Sequence, residues 1–337
     1  MTLRVFILCL CLSFVGAVSA RAQTPVEEDD VIRVNTDVTN LLLTATDKQR
    51  RFMTSLKAED VKVLEDGVPQ KLFAFQTETD RPLALVFLID VSGSEARTLP
   101  QEKAAARLFI ENVIKSSKDQ AAIIAFTGSA FLEQPLTRNV LGIYRALERV
   151  EVALPTYLGS GRPLTGLPTG PGMAAPPDEG STAIWEAIAL TSSEILQPLA
   201  DQRRRAIILL TDGWDTAFNS RVTRAQAIDS VIGAEAVIYA IGIGDGNQDG
   251  VNKGTLKDVA ERTGGRAFFP KKEEDLNKAF AEIEQELRTQ YLLAYSSTNK
   301  NRDGSYRKVV VEITNPALIK EKVQLRHRPG YFAKRLP

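Results

Sequence analysis

The segment Asp90-Val91-Ser92-Gly93-Ser94 holds the residues of this 337-residue sequence whose types and spacing best suggest chemistry. Asp90, Ser92 and Ser94 place a carboxylate and two hydroxyls at alternate positions, and Gly93 lets the backbone bend between them. These groups are poorly suited to acid–base catalysis, but they are the hard oxygen ligands that a divalent cation prefers. The segment therefore predicts a metal site used for binding rather than for catalysis.

The positions of two neighbouring apolar runs indicate which other side chains join this site. The run 83–89, directly before Asp90, has the length and composition of a buried strand. A second strand pattern, 206–211, ends just before Asp212, and Thr182 stands at the start of a predicted helix. Because the carboxyl ends of strands form the ligand crevice of an open α/β sheet, these residues can converge on one edge. The predicted metal ligands are Asp90, Ser92, Ser94, Thr182 and Asp212.

The middle of the chain, residues 82–286, alternates between apolar runs of strand length and amphipathic runs of helix length. The predicted strands are 83–89, 121–126, 206–210, 236–243 and 266–269. The predicted helices are 101–115, 140–150, 183–196, 221–233, 255–263 and 273–288. Since strand–helix alternation is typical of parallel sheets, we predict a Rossmann-like α/β domain with a mostly parallel sheet and helices on both faces.

Short alternating strand patterns lie on both sides of this α/β region. Each flank is too small to bury a core alone, so we predict one β-sandwich built from both flanks, with the α/β domain inserted between them. Within the domain, glycine and proline are too frequent at 154–180 for a regular element, which predicts a long loop. The predicted segments are 1–22 (signal peptide), 23–30 (flexible lead), 31–81 and 289–333 (sandwich) and 82–288 (α/β domain).

The first 22 residues have the basic start, apolar run and small-residue cleavage site of a signal peptide, ending before Gln23. The apolar run is short for a transmembrane span, so we expect a secreted or periplasmic protein. Cys9 and Cys11 lie in this segment, so the mature chain would have no disulfide and no cysteine nucleophile. Equal numbers of basic and acidic residues, 42 each, argue against a nucleic-acid or anionic-membrane partner.

In its oxygen ligands the chain resembles the von Willebrand factor A domain family. The Asp-x-Ser-x-Ser sequence at 90–94, Thr182 within Gly-Ser-Thr-Ala and Asp212 within Thr-Asp-Gly match the metal-ion-dependent adhesion site of that family. The resemblance covers the predicted α/β domain. The segments 64–70 and 326–332 are similar to secreted bacterial proteins related to this family, of the acidobacterial type.

The resemblance implies a bound Mg²⁺ or Mn²⁺, with Ca²⁺ as a further option. It implies that Ser92, Ser94 and Thr182 are hydroxyl ligands and that Asp90 and Asp212 act directly or through water. One coordination position then stays open for an acidic side chain of a protein partner. Two carboxylates leave little excess negative charge around a divalent cation, so such a partner is still attracted. We therefore expect non-catalytic, metal-dependent adhesion or envelope interaction.

Two other functions stay open. In the first, the protein is a structural envelope component whose cation only stabilises the domain, and an internal carboxylate such as Asp178 or Glu179 closes the sixth coordination position. In the second, less favoured, it is a metal-dependent hydrolase. The single histidine, His327, lies in a predicted C-terminal strand between two arginines, which disfavours serine hydrolysis. We therefore predict a protein that is not an enzyme.

Further polar and aromatic residues near the predicted edge have less specific patterns. Trp214 follows Asp212 on a loop and either anchors a partner or covers the adjacent helix. Together with Asp178 and Glu179 it is a candidate for the ligand rim. A secondary calcium site is a minor alternative to a polar loop, because the acidic twelfth position of a calcium loop is missing. Its candidate ligands are Asp245, Asn247 and Asp249.

Overall fold

The computed structural model describes residues 38–77, 81–115, 117–153, 162–163, 181–199, 203–218, 220–244 and 250–335. Several predictions from the sequence fall outside these residues: the signal peptide 1–22, the lead 23–30 and most of the loop 154–180. The same holds for the rim candidates Asp178 and Glu179 and for the secondary calcium candidates Asp245, Asn247 and Asp249. These features stay predictions.

The strands are β1 (Val38–Thr46), β2 (Val61–Glu65), β3 (Val68–Gln70), β4 (Leu72–Thr77), β5 (Leu83–Asp90), β6 (Gln120–Phe126), β7 (Ala130–Thr137), β8 (Arg162–Pro163), β9 (Arg204–Thr211), β10 (Ala236–Gly242), β11 (Ala267–Phe268), β12 (Tyr291–Ser296), β13 (Tyr306–Ile313), β14 (Gln324–Arg326) and β15 (Gly330–Phe332). The α-helices are α1 (Leu99–Val113), α2 (Val140–Arg149), α3 (Ile184–Leu190), α4 (Arg224–Gly233), α5 (Lys253–Arg262), α6 (Glu273–Thr289) and α7 (Pro316–Lys320). A π-helical turn, Thr191–Leu196, extends α3.

A seven-stranded sheet with the order β11-β10-β9-β5-β6-β7-β8 forms the centre of the α/β region. Strands β11, β10, β9, β5 and β6 are parallel, and β7 and β8 add antiparallel pairs at one end. Every residue of β5 is buried, which explains its continuous apolar sequence, because a central parallel strand packs against helices on both faces. The predicted Rossmann-like α/β fold is confirmed.

The two faces of this sheet pack against different helices. Alternate residues of β5, beginning with Leu83, face a core shared with α1, α2 and α6. The residues between them, beginning with Ala84, face a core shared with α3, α4 and α5. The antiparallel strand β7 was not predicted, because Glu133 and Pro135 interrupt its apolar pattern.

Strands from the two ends of the chain pair with each other in two four-stranded sheets. One has the order β14-β1-β12-β4, and the other has the order β15-β13-β2-β3. Both contribute to one apolar core that includes Leu41, Val63, Leu293 and Val309. The N-terminal and C-terminal flanks therefore form their core together, as predicted. In the described part of the chain, no helix is both long enough and apolar enough to cross a membrane.

Candidate metal centre

The parallel pairing of β5 and β9 brings the ends of both strands to one edge of the central sheet. The register pairs Ile89 with Leu210, so that Asp90 and Thr211 end the two strands side by side. The Thr211 hydroxyl donates to Oδ2 of Asp90 at 2.6 Å and accepts from the backbone N–H of Gly213 at 3.1 Å. The Asp90 carboxylate is thus held in place by its neighbouring strand.

Asp90 is fully buried, and its two oxygens have different partners. The backbone N–H of Ser92 donates to Oδ1 at 2.9 Å, while Oδ2 accepts from Thr211. Burial, together with a smaller effect of the negative charge of Asp212, raises the pKa of Asp90 to about 6 against the opposing effect of these hydrogen bonds. A carboxylate held at this position without a positive side chain beside it favours an added cation.

Ser92 and Ser94 lie at the start of a one-turn 3₁₀-helix, Gly93–Arg97, that follows β5. Their hydroxyl oxygens are 3.0 Å apart and form a hydrogen bond with each other. Ser92 is buried, whereas Ser94 is exposed. The turn therefore presents two hydroxyl oxygens beside Asp90, one directed inward and one at the surface.

Asp212 directly follows β9 and is half-buried. Its Oδ1 accepts from the backbone N–H of Trp214 at 3.0 Å, and its carbonyl accepts from the N–H of Asn252 at 2.8 Å. Gly213 has a φ of +85°, and a Cβ there would lie 2.8 Å from Leu256. Only glycine fits this bend, so the turn after Asp212 is fixed by conformation and by packing.

Thr182 lies on a buried segment that hydrogen bonds to the loop after Asp212. Its N–H donates to the Thr216 hydroxyl at 2.8 Å, and its carbonyl accepts from the N–H of Thr216 at 2.9 Å. On its other side, the carbonyl of Ser181 accepts from the Thr127 hydroxyl at 2.9 Å, just after β6. The segments that carry the predicted ligands are thus joined by hydrogen bonds at the carboxyl edge of the sheet.

Trp214 lies on the surface beside Asp212, with 44% of its area exposed. Its indole N–H donates to the carbonyl of Gly250 at 2.7 Å, which fixes the ring on this loop. The exposed side chain is compatible with the predicted rim position.

One acidic residue of this edge, Glu95, was not predicted from the sequence. One carboxylate oxygen from each of Asp90, Glu95 and Asp212 lies within 4.8 Å of the others, and we call these three residues the carboxylate cluster. Glu95 is fully buried on the turn that follows Ser94. Its position directly after the second predicted serine ligand was the available signal, but a sequence pattern does not show that a glutamate is buried.

A further buried glutamate, Glu102, lies close to Glu95 on the first turn of α1. Neither carboxylate oxygen of Glu102 has a hydrogen-bond partner in the described structure. Burial raises the pKa of both glutamates, and the charges of Glu102 and Asp90 raise the pKa of Glu95 further. The edge thus concentrates negative charge that the described lysines and arginines do not pair.

The residues at this edge fit a divalent cation. The donor set consists of carboxylate and hydroxyl oxygens, which are the ligands of hard divalent ions, and it includes a buried oxygen without a hydrogen-bond partner. Two hydroxyls precede the cluster residue Glu95 in the same turn. No thiolate or imidazole is part of this set, so the chemistry favours a hard cation over a soft one.

Residues 85–214 match the family model described as the von Willebrand factor type A domain. The match supports a von Willebrand factor type A domain in this chain. The matched segment contains all five predicted metal ligands. Comparison with curated protein sequences gave no match.

Several solved structures are similar in fold to this chain. Proximal thread matrix protein 1 from the mussel byssus, with a zinc-occupied metal-ion-dependent adhesion site, is 18% identical with a TM-score of 0.49. That alignment covers 66% of this chain and 50% of the mussel chain, so this chain spans about half the length of that protein.

Two bacterial structures are similar as well. A von Willebrand factor type A protein from Catenulispora acidiphila is 14% identical with a TM-score of 0.48, over 90% of this chain and 75% of that one. An aerotolerance-related membrane protein from Bacteroides fragilis is 18% identical with a TM-score of 0.44, over 61% of this chain and 98% of that one.

Proposed function

We propose that this protein binds a partner protein, without catalysis, through a divalent cation held at the carboxyl edge of its von Willebrand factor A domain. The observation that carries the proposal is the meeting of Asp90, Asp212 and the Ser92–Ser94 turn at one edge, with buried carboxylate oxygens and no paired lysine or arginine among the described residues. A protein cation at that position would instead indicate a structural ion pair.

The proposed ligands are the five predicted from the sequence: Asp90, Ser92, Ser94, Thr182 and Asp212. Mg²⁺ is the proposed ion, with Mn²⁺ and Ca²⁺ as alternatives that the same oxygen ligands accommodate. When bound, the cation supplies a positive charge at the surface that attracts an acidic side chain of the partner. Asp90 and Thr211 orient the buried side of the site, and exposed Ser94 and Trp214 lie where a partner would contact it.

The non-catalytic part of the proposal follows from the side chains that are available. The single histidine, His327, is engaged by the backbone: Nε2 accepts from the N–H of Val311 at 3.2 Å, and Nδ1 lies 2.7 Å from the carbonyl of Arg328. It belongs to the C-terminal flank, whereas the carboxylate cluster lies at the end of β5 and β9. Ser92 and Ser94 therefore have no imidazole base in the described site.

A second candidate function is a structural envelope protein whose cation only stabilises the domain. The complete burial of Asp90 and Glu95 favours this candidate, because buried carboxylates gain most from a cation held inside the fold. The two functions predict different effects of removing the cation. In the first, removing the cation abolishes partner binding. In the second, it lowers the free energy of unfolding and no partner depends on it.

Calorimetric titration with Mg²⁺ and Mn²⁺ tests the metal site. We expect the wild type to bind one ion and Asp90→Asn to lose that binding. Asp119→Asn is a matched control, because Asp119 is a buried aspartate before β6 that accepts backbone N–H groups of Leu83 and Lys115. Equal affinity in the wild type and Asp90→Asn would contradict the site.

Affinity capture from an envelope extract tests the partner. We expect a protein retained in Mg²⁺, released by EDTA and not retained by Asp90→Asn. If the same protein binds Asp90→Asn as well as wild type, the interface lies elsewhere. Export, which we also propose, is checked by sequencing the N-terminus of the protein recovered outside the cytoplasm, where processing after residue 22 is expected.

A further inference from the structure

Glu95 contributes a carboxylate to the cluster although it lies outside the predicted ligand set. One of its oxygens is within 4.8 Å of oxygens of Asp90 and Asp212. Oxygens that share one Ca²⁺ lie at most about 5.2 Å apart and those that share one Mg²⁺ at most about 4.2 Å, twice the longest usual metal–oxygen distance in each case. The three carboxylates are therefore close enough to contact one Ca²⁺ as they stand, and a smaller ion requires them to move slightly closer together. The N–H of Glu95 donates to the carbonyl of Ser92 at 3.0 Å, so the same turn fixes Glu95 and the serine ligands.

The Glu95 carboxylate is buried and only half satisfied. Its Oε2 accepts from the Thr98 hydroxyl at 2.8 Å, but its Oε1 has no hydrogen-bond partner in the described structure. The neighbouring Glu102 offers two further acceptor oxygens that also have no donor. A buried, ionised carboxylate with one unsatisfied oxygen and no counter-charge is strongly unfavourable, so a cation at the cluster would stabilise the ionised form of Glu95.

We infer that Glu95 is a ligand of the bound cation and that an acidic partner must displace it. The inference rests on the proposed function and names a residue of this chain that regulates the same site. In this inference Glu95 is an internal carboxylate that closes the site.

The charges at the edge give this role a functional consequence. Asp90 and Asp212 alone balance the two charges of the cation, whereas adding Glu95 leaves a net charge of minus one. This net charge repels a partner's carboxylate until Glu95 leaves the ion. Only molecules in which Glu95 is away from the ion can bind the partner, so the apparent partner affinity is multiplied by the fraction of those molecules. Glu95 therefore acts as a built-in competitor.

Calorimetric titration of the purified protein with Mn²⁺, with and without sodium acetate as the smallest carboxylate probe, tests the inference. We expect Glu95→Ala and Glu95→Gln to weaken Mn²⁺ binding by at least about tenfold, since removing even an indirect partner of a metal ligand costs that much. Acetate should strengthen Mn²⁺ binding to Glu95→Ala by about threefold or more and leave the wild type nearly unchanged.

Asp119→Asn is the matched control, because Asp119 is buried but is not part of the carboxylate cluster. We expect its Mn²⁺ affinity to stay within about twofold of wild type. If Glu95→Ala does not fold, as judged by circular dichroism, the Mn²⁺ affinity of the isosteric Glu95→Gln is the test. Equal Mn²⁺ affinity in the wild type and the Glu95 variants would overturn the inference and leave the proposed metal site intact. Failure of the wild type to bind Mn²⁺ would overturn both.

Discussion

Two groups of buried acidic residues in this protein are stabilised in different ways. In the β-sandwich, Glu65 is buried beside Arg307, with Nη1 of the arginine 3.2 Å from Oε1 of the glutamate. Ser297 and Tyr331 also donate to this carboxylate. At the edge of the central sheet, the carboxylate cluster of Asp90, Glu95 and Asp212 has no paired lysine or arginine among the described residues.

The direction of the pKa shifts separates the two groups. Burial alone would raise the pKa of Glu65, but hydrogen bonds from Ser297, Tyr331 and Arg307 outweigh burial and lower it. Burial raises the pKa of Asp90 and Glu95, because few donors oppose it. Glu65 is thus part of a completed ion pair in the sandwich, whereas no lysine or arginine of the described residues neutralises the carboxylate cluster, as our proposal of a bound cation requires.

The largest expected effect comes from breaking the completed pair. Arg307→Met should lower the free energy of unfolding by about 3–5 kcal/mol, because it leaves Glu65 charged, buried and without its cation. Denaturant unfolding measures this loss. The double variant Glu65→Gln with Arg307→Met should recover part of it. A loss below about 1 kcal/mol in Arg307→Met would show that the pair does not stabilise the sandwich.

The second prediction concerns pH in the metal-free protein. A carboxyl group whose pKa is raised in the folded state binds its proton more tightly than in the unfolded chain. Its stabilising contribution is therefore complete below the ordinary pKa near 4 and is lost as pH rises through the folded value, about 6 for Asp90. For Asp90 alone this loss amounts to roughly 2–3 kcal/mol between pH 4 and 8, so we expect the chelator-treated protein to lose at least that much, measured by denaturant unfolding.

Two controls make this pH experiment specific to the edge. Glu102→Gln should reduce the loss at the upper end of the pH range, because burial also raises the pKa of Glu102. Saturating Mn²⁺ should remove most of the loss, since the cation neutralises the ionised cluster. Stability that rises between pH 5 and 8 without metal would contradict the assigned pKa directions. The lowered pKa of Glu65 predicts the opposite trend, with stability lost below about pH 4.

The smallest predicted effect concerns the residue that orients Asp90. Thr211→Val removes the hydroxyl that donates to Asp90 Oδ2 at 2.6 Å but keeps the shape of the side chain. We expect Mg²⁺ affinity to fall about tenfold, the loss typical of groups that support metal ligands. Thr211→Ser retains the hydroxyl and should bind as wild type does. Unchanged affinity in Thr211→Val, measured by calorimetry, would show that Asp90 does not need this support.

The sequence predicted the central sheet and the convergence of Asp90 and Asp212 because both follow continuous apolar strands. Parallel strands of that kind place their carboxyl ends together, so local patterns were sufficient. Strand β7 was not predicted because polar residues interrupt its apolar pattern. Glu95 was not predicted as a site residue because an acidic residue in a first helical turn is ordinarily exposed. Only the tertiary packing shows that Glu95 is buried.

The ion pair of the sandwich could not be predicted from sequence patterns either. Glu65 and Arg307 are separated by 242 positions and come together only because β2 and β13 pair. The sequence indicated that the two flanks form one core, but it did not indicate which charged residues this core would bury. Long-range pairing of this kind depends on register, which local composition does not determine.

The central claim is that a divalent cation binds at the carboxyl edge of the sheet. A crystal structure of the protein grown with Mn²⁺, with anomalous diffraction data, tests it most directly. We predict one strong anomalous peak in contact with carboxylate oxygens of the cluster formed by Asp90, Glu95 and Asp212. No peak at that edge in crystals saturated with Mn²⁺, or a peak only at other carboxylates, would contradict the claim.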